Sequence, residues 1–374
     1  MEDLASTKLL YVTNQISGSG GLERILAEKT KWLLDNNSYL IHIITLNDDE
    51  NLSPFFTFHP NIIRHNLLIK SFNIYSYAAY FREINRIIKK IQPDIITVCD
   101  DGLKGLLFPL FIQHEGKIIY ERHASKALNL PFQNPGFKKL GDVVYAWLAS
   151  KFDIFIVLTE GNSKEWSVKN TLVIPNPISQ LPKGVSSQEN KRIIVVGAHS
   201  PNKGYDMLIN IWQQVQPSFP DWELHVYGDM DPQLTYPRLV KRKKLSKIYF
   251  HGAVKNIWAK YLESSILLST SRSEGFGIVL IEAMACGLPC IAFDCPSGPA
   301  DIISHGENGF LIKLNDIQSY VDKTKLLIEN NEIRLKMSEK ARQNSLNYLP
   351  DQINEQWNRL YIKLLRTQPS ESYS

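Results

Sequence analysis

Cysteine is scarce in this sequence, with four in 374 residues, at Cys99, Cys286, Cys290 and Cys295. That excludes a disulfide-framed scaffold, and no two of them form the CxxC pair of a structural zinc site. A reducing, cytoplasmic setting is expected. No apolar run reaches the ~18 to 20 residues that a membrane-spanning helix needs. The opening MEDLASTKLL carries acids where a secretory signal carries a cationic start. Charge of one sign is not in excess either: 42 Lys and Arg against 38 Asp and Glu leave +4. So small a surplus gives no argument for nucleic-acid binding, and any basic function must be local. Repeats at solenoid periods and low-complexity tracts are also missing, apart from the polar end TQPSESYS.

What is present is ordinary for a folded chain, with 44% hydrophobic and 21% charged residues. At roughly 100 to 200 residues per domain the length predicts two domains with two cores. Apolar, β-rich runs alternate with helix-patterned stretches throughout. In the first half, KLLYVTN (8–14), YLIHIITL (39–46), DIITV (94–98), KIIY (117–120) and DIFIVL (153–158) read as buried parallel strands. Between the first two, Ile25, Leu26, Trp32 and Leu33 fall at helical spacing and Asn36-Asn37 supplies a stop. The alternation breaks at VIPNPISQLPKG (173–184), whose prolines suit a linker. It resumes with strands expected at 192–196, 222–228, 247–252, 265–270, 288–293 and 309–312. The fold class is therefore α/β, with two Rossmann-like doubly wound domains over 1–177 and 178–350. A last amphipathic helix in 351–374, with Trp357, Leu360, Tyr361 and Leu364, is expected to cross back onto the first domain.

Open parallel sheets bind ligands at the carboxyl ends of their strands, so the loops after each strand hold the candidate chemistry. The densest is SRSEGFGIVLIEAMACGLPCIAFDCPSGPADII, from Ser271. Gly275-Phe276-Gly277 precede a helix, whose first backbone N–H groups can meet a phosphate. Glu282 falls about one turn into that helix among apolar and small residues. A carboxylate there is costly unless it accepts hydrogen bonds, and two sugar hydroxyls would supply them. The loop Gly18-Ser19-Gly20-Gly21 holds the matching place in the first domain. It does not have the GxGxxG spacing of a dinucleotide site.

The string EGFGIVLIEAMACGLPCIA, followed by PSGPADII and GENGFLI, resembles the signature of retaining nucleotide-sugar glycosyltransferases of family 4. The resemblance spans nearly the whole chain through GSGGLER, ERH, VIPNPI, VVGAHSPNKGYDML and the Glu274-x7-Glu282 block. It implies the GT-B fold, with the two Rossmann-like domains facing a central cleft. It also implies that Glu282 binds the donor ribose and that Glu274 contacts hydroxyls of the transferred sugar. The backbone at Gly275, Phe276, Gly277, Ile278 and Val279 would hold sugar and diphosphate. Lys203 would put an ammonium beside the diphosphate, next to Gly197, and His123 would face the donor sugar. Gly20 and Gly21 would lie near the diphosphate or the acceptor, or else form a plain strand-to-helix turn. Asn176 would line the cleft or cap the hinge.

The sequence departs from the family in one place. Relatives put an arginine just after the glycine that ends the strand before this loop, where this chain has Ala198 followed by His199. Either His199 or another basic residue substitutes for it, or the site relies on Lys203 and helix dipoles. By resemblance the donor is a UDP-sugar and the acceptor a hydroxyl of a glycan or lipid-linked oligosaccharide in surface-polysaccharide synthesis. No metal, cofactor or nucleic acid is implied, and peripheral contact with the anionic inner face of a membrane is. Asp229-Met230-Asp231 matches a DxD metal pattern but sits in a Gly/Pro turn, so turn chemistry is the expectation. The basic run PRLVKRKKLSK (237–247) reads as a solvated face, with anionic headgroups the alternative. A non-catalytic nucleotide-sugar-binding subunit, or a phosphorylase or epimerase on the same plan, stands as the rival reading.

Overall fold

The computed structural model describes residues 7–48, 53–69, 74–126, 138–166 and 168–366. The chain divides into two compact units, Met1–Ser179 with Pro350–Ser374, and Gln180–Leu349. The first unit is built on strands β1 Lys8–Thr13, β2 Leu40–Leu46, β3 Ile63–Leu67, β4 Ile95–Cys99, β5 Lys117–Glu121, β6 Ile154–Val157 and β7 Thr171–Val173. They form one sheet in the order β3-β2-β1-β4-β5-β6-β7, every pairing parallel. The second unit holds β8 Arg192–Val196, β9 Glu223–Tyr227, β10 Ile248–His251, β11 Ile266–Ser269, β12 Cys290–Asp294 and β13 Gly309–Lys313, in the parallel order β10-β9-β8-β11-β12-β13.

The central strands are buried on both faces, which is why they read as unbroken apolar runs rather than alternating ones. In the first unit Leu10, Val12, Ile96 and Val98 pack on one side of the sheet with Phe81 and Ile84. Leu9, Tyr11, Ile41 and Ile95 pack on the other with Leu26, Leu33 and Trp357. In the second unit Ile193, Val195, Leu224, Val226 and Leu268 pack against Leu208, Ile211 and Trp212 of the helix Tyr205–Val215.

The C-terminal helix Pro350–Arg366 belongs to the first unit and lies beside the helix Gly21–Asn36. Its amphipathic face is held by more than apolar burial. Tyr361 and Tyr11 share a buried hydroxyl–hydroxyl bond of 2.8 Å. Tyr39 Oη donates to Asn358 at 2.8 Å and Trp32 Nε1 donates to Asp351 at 2.7 Å.

Both sheets reverse their winding beside their first strand, between β1 and β4 and between β8 and β11. Such a switch point opens a crevice at the carboxyl ends of the two strands. The loops after β1, β8 and β11 are the ones that carry Gly20 and Gly21, then Gly197 and Lys203, then Glu274 to Gly277.

Candidate active site

The second unit brings most of the predicted residues together through the loops after β8 and β11. β8 runs into Gly197, and a Cβ there would sit 3.0 Å from Lys203 Cε and 3.2 Å from Tyr205 Oη. Its glycine leaves room for the lysine stem. The turn Pro201–Lys203 ends at Gly204 with φ 64, and the helix Tyr205–Val215 begins there. Only glycine takes that left-handed conformation without strain, and a Cβ would also lie 2.1 Å from Thr270 O.

The turn is laced to the end of β11. Thr270 Oγ1 donates to Lys203 O at 2.9 Å, Arg272 N to Asn202 O at 2.7 Å and Asn202 Nδ2 to Ser273 O at 2.9 Å. The Arg272 guanidinium donates to Pro201 O at 2.5 Å and to Asp206 at 2.6 Å. Burial pushes the Asp206 carboxyl up, and the Arg272 bond and charge outweigh it, so its pKa is lowered. This lacing fixes Lys203, whose Nζ lies 2.7 Å from Glu274 Oε1 in a largely buried pair. The sequence reading named both residues but not their pairing.

Glu274 leads into Gly277, which has φ 93 and starts the helix Ile278–Ala285. The N–H groups of Ile278 and Val279 are the first of that helix, where no preceding turn offers them a carbonyl. The Phe276 ring is buried, edge-on to Tyr348 at 5.7 Å, so this residue can offer a ligand its backbone rather than its ring. Glu282 is buried, and the hydroxyl of Tyr261, from the helix Ile257–Leu262, donates to its Oε2 at 3.0 Å. Tyr261 is a neighbour of this candidate residue that the sequence does not reveal, because no local spacing ties it to a carboxylate on another element.

His199 stands one place beyond the position of the missing arginine. It is buried, with Tyr205, Tyr236 and Phe250 set edge-on around it at 5.6, 6.4 and 5.2 Å. Burial lowers its pKa against the opposing pull of Asp231 and Asp229, so it stays neutral near pH 7. Neither ring nitrogen has a hydrogen-bond partner among the described residues. The Arg272 guanidinium, which reaches this turn through Pro201 O, has its charge committed to Asp206. In the DMD turn, Asp229 O accepts from His199 N at 2.7 Å. Asp231 accepts from Thr235 N and Oγ1 at 3.1 Å, at the start of the helix Thr235–Arg242.

In the first unit, Gly20 caps the helix Gly21–Asn36 with φ −75, an ordinary backbone value. A Cβ at Gly20 would come 2.5 Å from Oε2 of Glu23, a buried carboxylate bonded to Gln15, and one at Gly21 would meet nothing within 4 Å. The chain's own packing therefore does not demand glycine at Gly21. Asn176 is buried near the end of this unit.

His123 follows β5, with its ring Nε2 3.2 Å from Glu121 Oε1. Glu121 is also held by Lys29 at 2.5 Å and by the Cys99 thiol at 3.2 Å. Burial works against its charge, but Lys29 and His123 keep the carboxyl well below the usual range. Cys99, Glu121 and His123 are metal-ligand types gathered at one point, the one such group among the described residues. Lys29 already supplies the positive charge there, and burial followed by Glu121 pushes the Cys99 thiol up, away from the thiolate that a metal would bind.

Comparison with known proteins gives the family and the fold. The model of the family "Glycosyl transferases group 1" matches residues 179–344, the second unit. The chain is 30% identical over 362 residues to an uncharacterized glycosyltransferase of Haemophilus influenzae, covering 94% of this chain and 98% of that one. It is 27% identical over 367 residues to the amylovoran biosynthesis glycosyltransferase AmsD of Erwinia amylovora, with the same coverage of 94% and 98%. Among solved structures, a mutant of S. aureus TarM in complex with fondaparinux, alpha-GlcNAc-glycerol and UDP superposes with a TM-score of 0.79. The two share 18% identity over 96% of this chain and 100% of that one. On the near-complete match to the H. influenzae relative, with two parallel Rossmann-like sheets carrying the loops described above, the chain belongs to the group 1 glycosyltransferases and has their GT-B fold.

Proposed function

We propose that the protein is a retaining, metal-independent glycosyltransferase of family 4 that moves a hexose or N-acetylhexosamine from a UDP-sugar to a hydroxyl of a glycan or lipid-linked acceptor in surface-polysaccharide synthesis. The observation that carries the reading is the Lys203–Glu274 pair, set at a switch point beside a glycine-led helix start. A diphosphate is the ligand that such an arrangement suits. It competes for the Lys203 ammonium, meets the first amides of the Ile278–Ala285 helix, and frees Glu274 to accept from sugar hydroxyls. Glu282, which already accepts from Tyr261, is assigned to the ribose hydroxyls. Gly20 and Gly21, the second of which local packing does not require, allow a backbone to approach a ligand closely. His123, oriented by Glu121, and Asn176 are assigned to the sugar side.

As the glycosidic bond breaks, negative charge grows on the departing UDP, and Lys203 and the helix amides stabilise it. Retention is assigned to a front-face displacement in which the departing phosphate takes the acceptor's proton. The TarM crystal containing UDP and alpha-GlcNAc-glycerol is consistent with UDP as the leaving group.

A panel of nucleotide-sugars with the EDTA-treated protein, read by thermal shift and nucleotide release, tests the proposal. Stabilisation by one UDP-sugar together with UDP release is the expected result. Binding without release would favour a non-catalytic subunit, for which the Ala198 departure is the supporting observation.

A further inference from the structure

The helix Lys138–Ala149 of the first unit has two unlike faces. Gly141, Tyr145, Leu148 and Ala149 turn inward, and the last three join the core on one side of the sheet. On the outer face Leu140, Val143, Val144 and Trp147 are 64%, 68%, 39% and 49% exposed. They stand at i, i+3, i+4 and i+7, which makes one unbroken apolar stripe two turns long. Isolated exposed leucines are normal on a soluble protein, but an aligned row of four marks a surface that meets something apolar.

The charges around the stripe indicate what that is. Exposed Lys139 stands at one end and exposed Lys151 at the other, with the Lys151 ammonium 4.9 Å from the centre of the Trp147 ring. Asp142, the helix's one acid, is neutralised by Lys126 at 2.9 Å. The border of the stripe is therefore cationic. A stable protein partner would need roughly 800 Å² from this side, more than a stripe two turns long and one helix wide offers. An anionic bilayer needs only what is present: an apolar face to enter the headgroup boundary, a tryptophan at headgroup depth and lysines to meet phosphates.

We infer that the Lys138–Ala149 helix docks the first unit on an anionic lipid bilayer, with the Leu140–Trp147 stripe in the membrane interface and Lys139 and Lys151 against the headgroups. The basic stretch 237–247, which the sequence offers for such contact, is less suited. On its helix Tyr236 and Val240 are buried, while Arg238, Lys241 and Arg242 present charge to solvent. The inference deepens the proposed use of a lipid-linked acceptor, yet its test reads lipid binding and does not depend on turnover.

The full chain is sedimented with vesicles of phosphatidylcholine alone and of phosphatidylcholine with phosphatidylglycerol. The wild type should bind the phosphatidylglycerol vesicles and weaken with salt. A Val143→Asp/Trp147→Ser variant should lose at least about tenfold in partitioning, with an unchanged thermal midpoint and unchanged release of UDP from the donor. A Lys139→Ser/Lys151→Ser variant should lose the preference for phosphatidylglycerol. The inference is overturned if the wild type binds neither vesicle or if the stripe variant binds as the wild type does. It is equally overturned if light scattering shows a dimer that Val143→Asp dissociates, which would assign the stripe to a second copy of the chain.

Discussion

Lys203 and Glu274 form a pair that is only slightly exposed, and each satisfies the other's charge at 2.7 Å. Moving the lysine onto a diphosphate trades one charge-assisted bond for another and so costs little in binding. The gain comes as charge develops on the leaving group. Lys203→Ala should therefore slow sugar transfer by about 10²- to 10³-fold, measured as turnover at saturating donor, with a smaller change in donor affinity. Turnover at the wild-type rate would remove Lys203 from the charge-stabilising role. Glu282 and Tyr261 separate binding from folding. Glu282→Ala should weaken UDP binding at least about tenfold by calorimetry, because bonds to a charged group are the stronger ones. Tyr261→Phe takes a buried donor from that carboxylate and should cost about 1 to 3 kcal/mol in denaturant unfolding. An unfolding free energy equal to the wild type would contradict the tie between the two side chains.

Two strands show what a sequence hides at the level of elements. β3 reads IRHNL and β7 only TLV, and neither shows the apolar run by which the other eleven strands were legible. Both are sheet edges, where one side of the backbone has no neighbouring strand: β3 is polar there and β7 is only three residues long. For the same reason Val173, read as linker, is the last residue of β7. The site was legible where glycine spacing marks a turn and a helix start, at Gly197 to Gly204 and Gly275 to Gly277. It was not legible where elements distant in sequence meet, as for Tyr261 on Glu282 or Arg272 on the Pro201–Lys203 turn.

Each sheet also joins its edge strand to the next by a histidine pair in the same diagonal register. His42 of β2 lies 3.0 Å from His65 of β3, and His225 of β9 lies 3.0 Å from His251 of β10. His42 is lowered to about 4, first by burial, then by His65 and Lys8. Burial also lowers His65, His225 and His251, with Lys90, Arg192 and Lys260 adding to it and Glu223 opposing it at His225. Below the ordinary histidine value of about 6.5 the unfolded chain takes up protons that these folded histidines refuse. Stability should thus be full above that value and fall as the pH drops toward about 4. Denaturant midpoints at descending pH check this. His42→Gln should flatten the fall, and a midpoint unchanged between neutral pH and pH ~5 would contradict it.

At the scale of the whole molecule, two sheets of the same winding present loops at their switch points, and this plan supplies ligand-binding loops without specifying a reaction. The proposed reaction rests on the second unit's residues: one ammonium, two carboxylates and a helix start, with charge stabilisation as the chemistry that they would perform. The central claim, that these groups transfer a sugar from UDP with retention and without metal, is tested most directly by proton NMR of the purified, EDTA-treated protein during donor turnover. The first-formed anomer of the transferred sugar, on an acceptor or on water, is observed before mutarotation. The account predicts the α-anomer from an α-linked UDP-sugar, at a rate that EDTA leaves unchanged. A β-product, or turnover that returns only when a divalent metal is added, would contradict it.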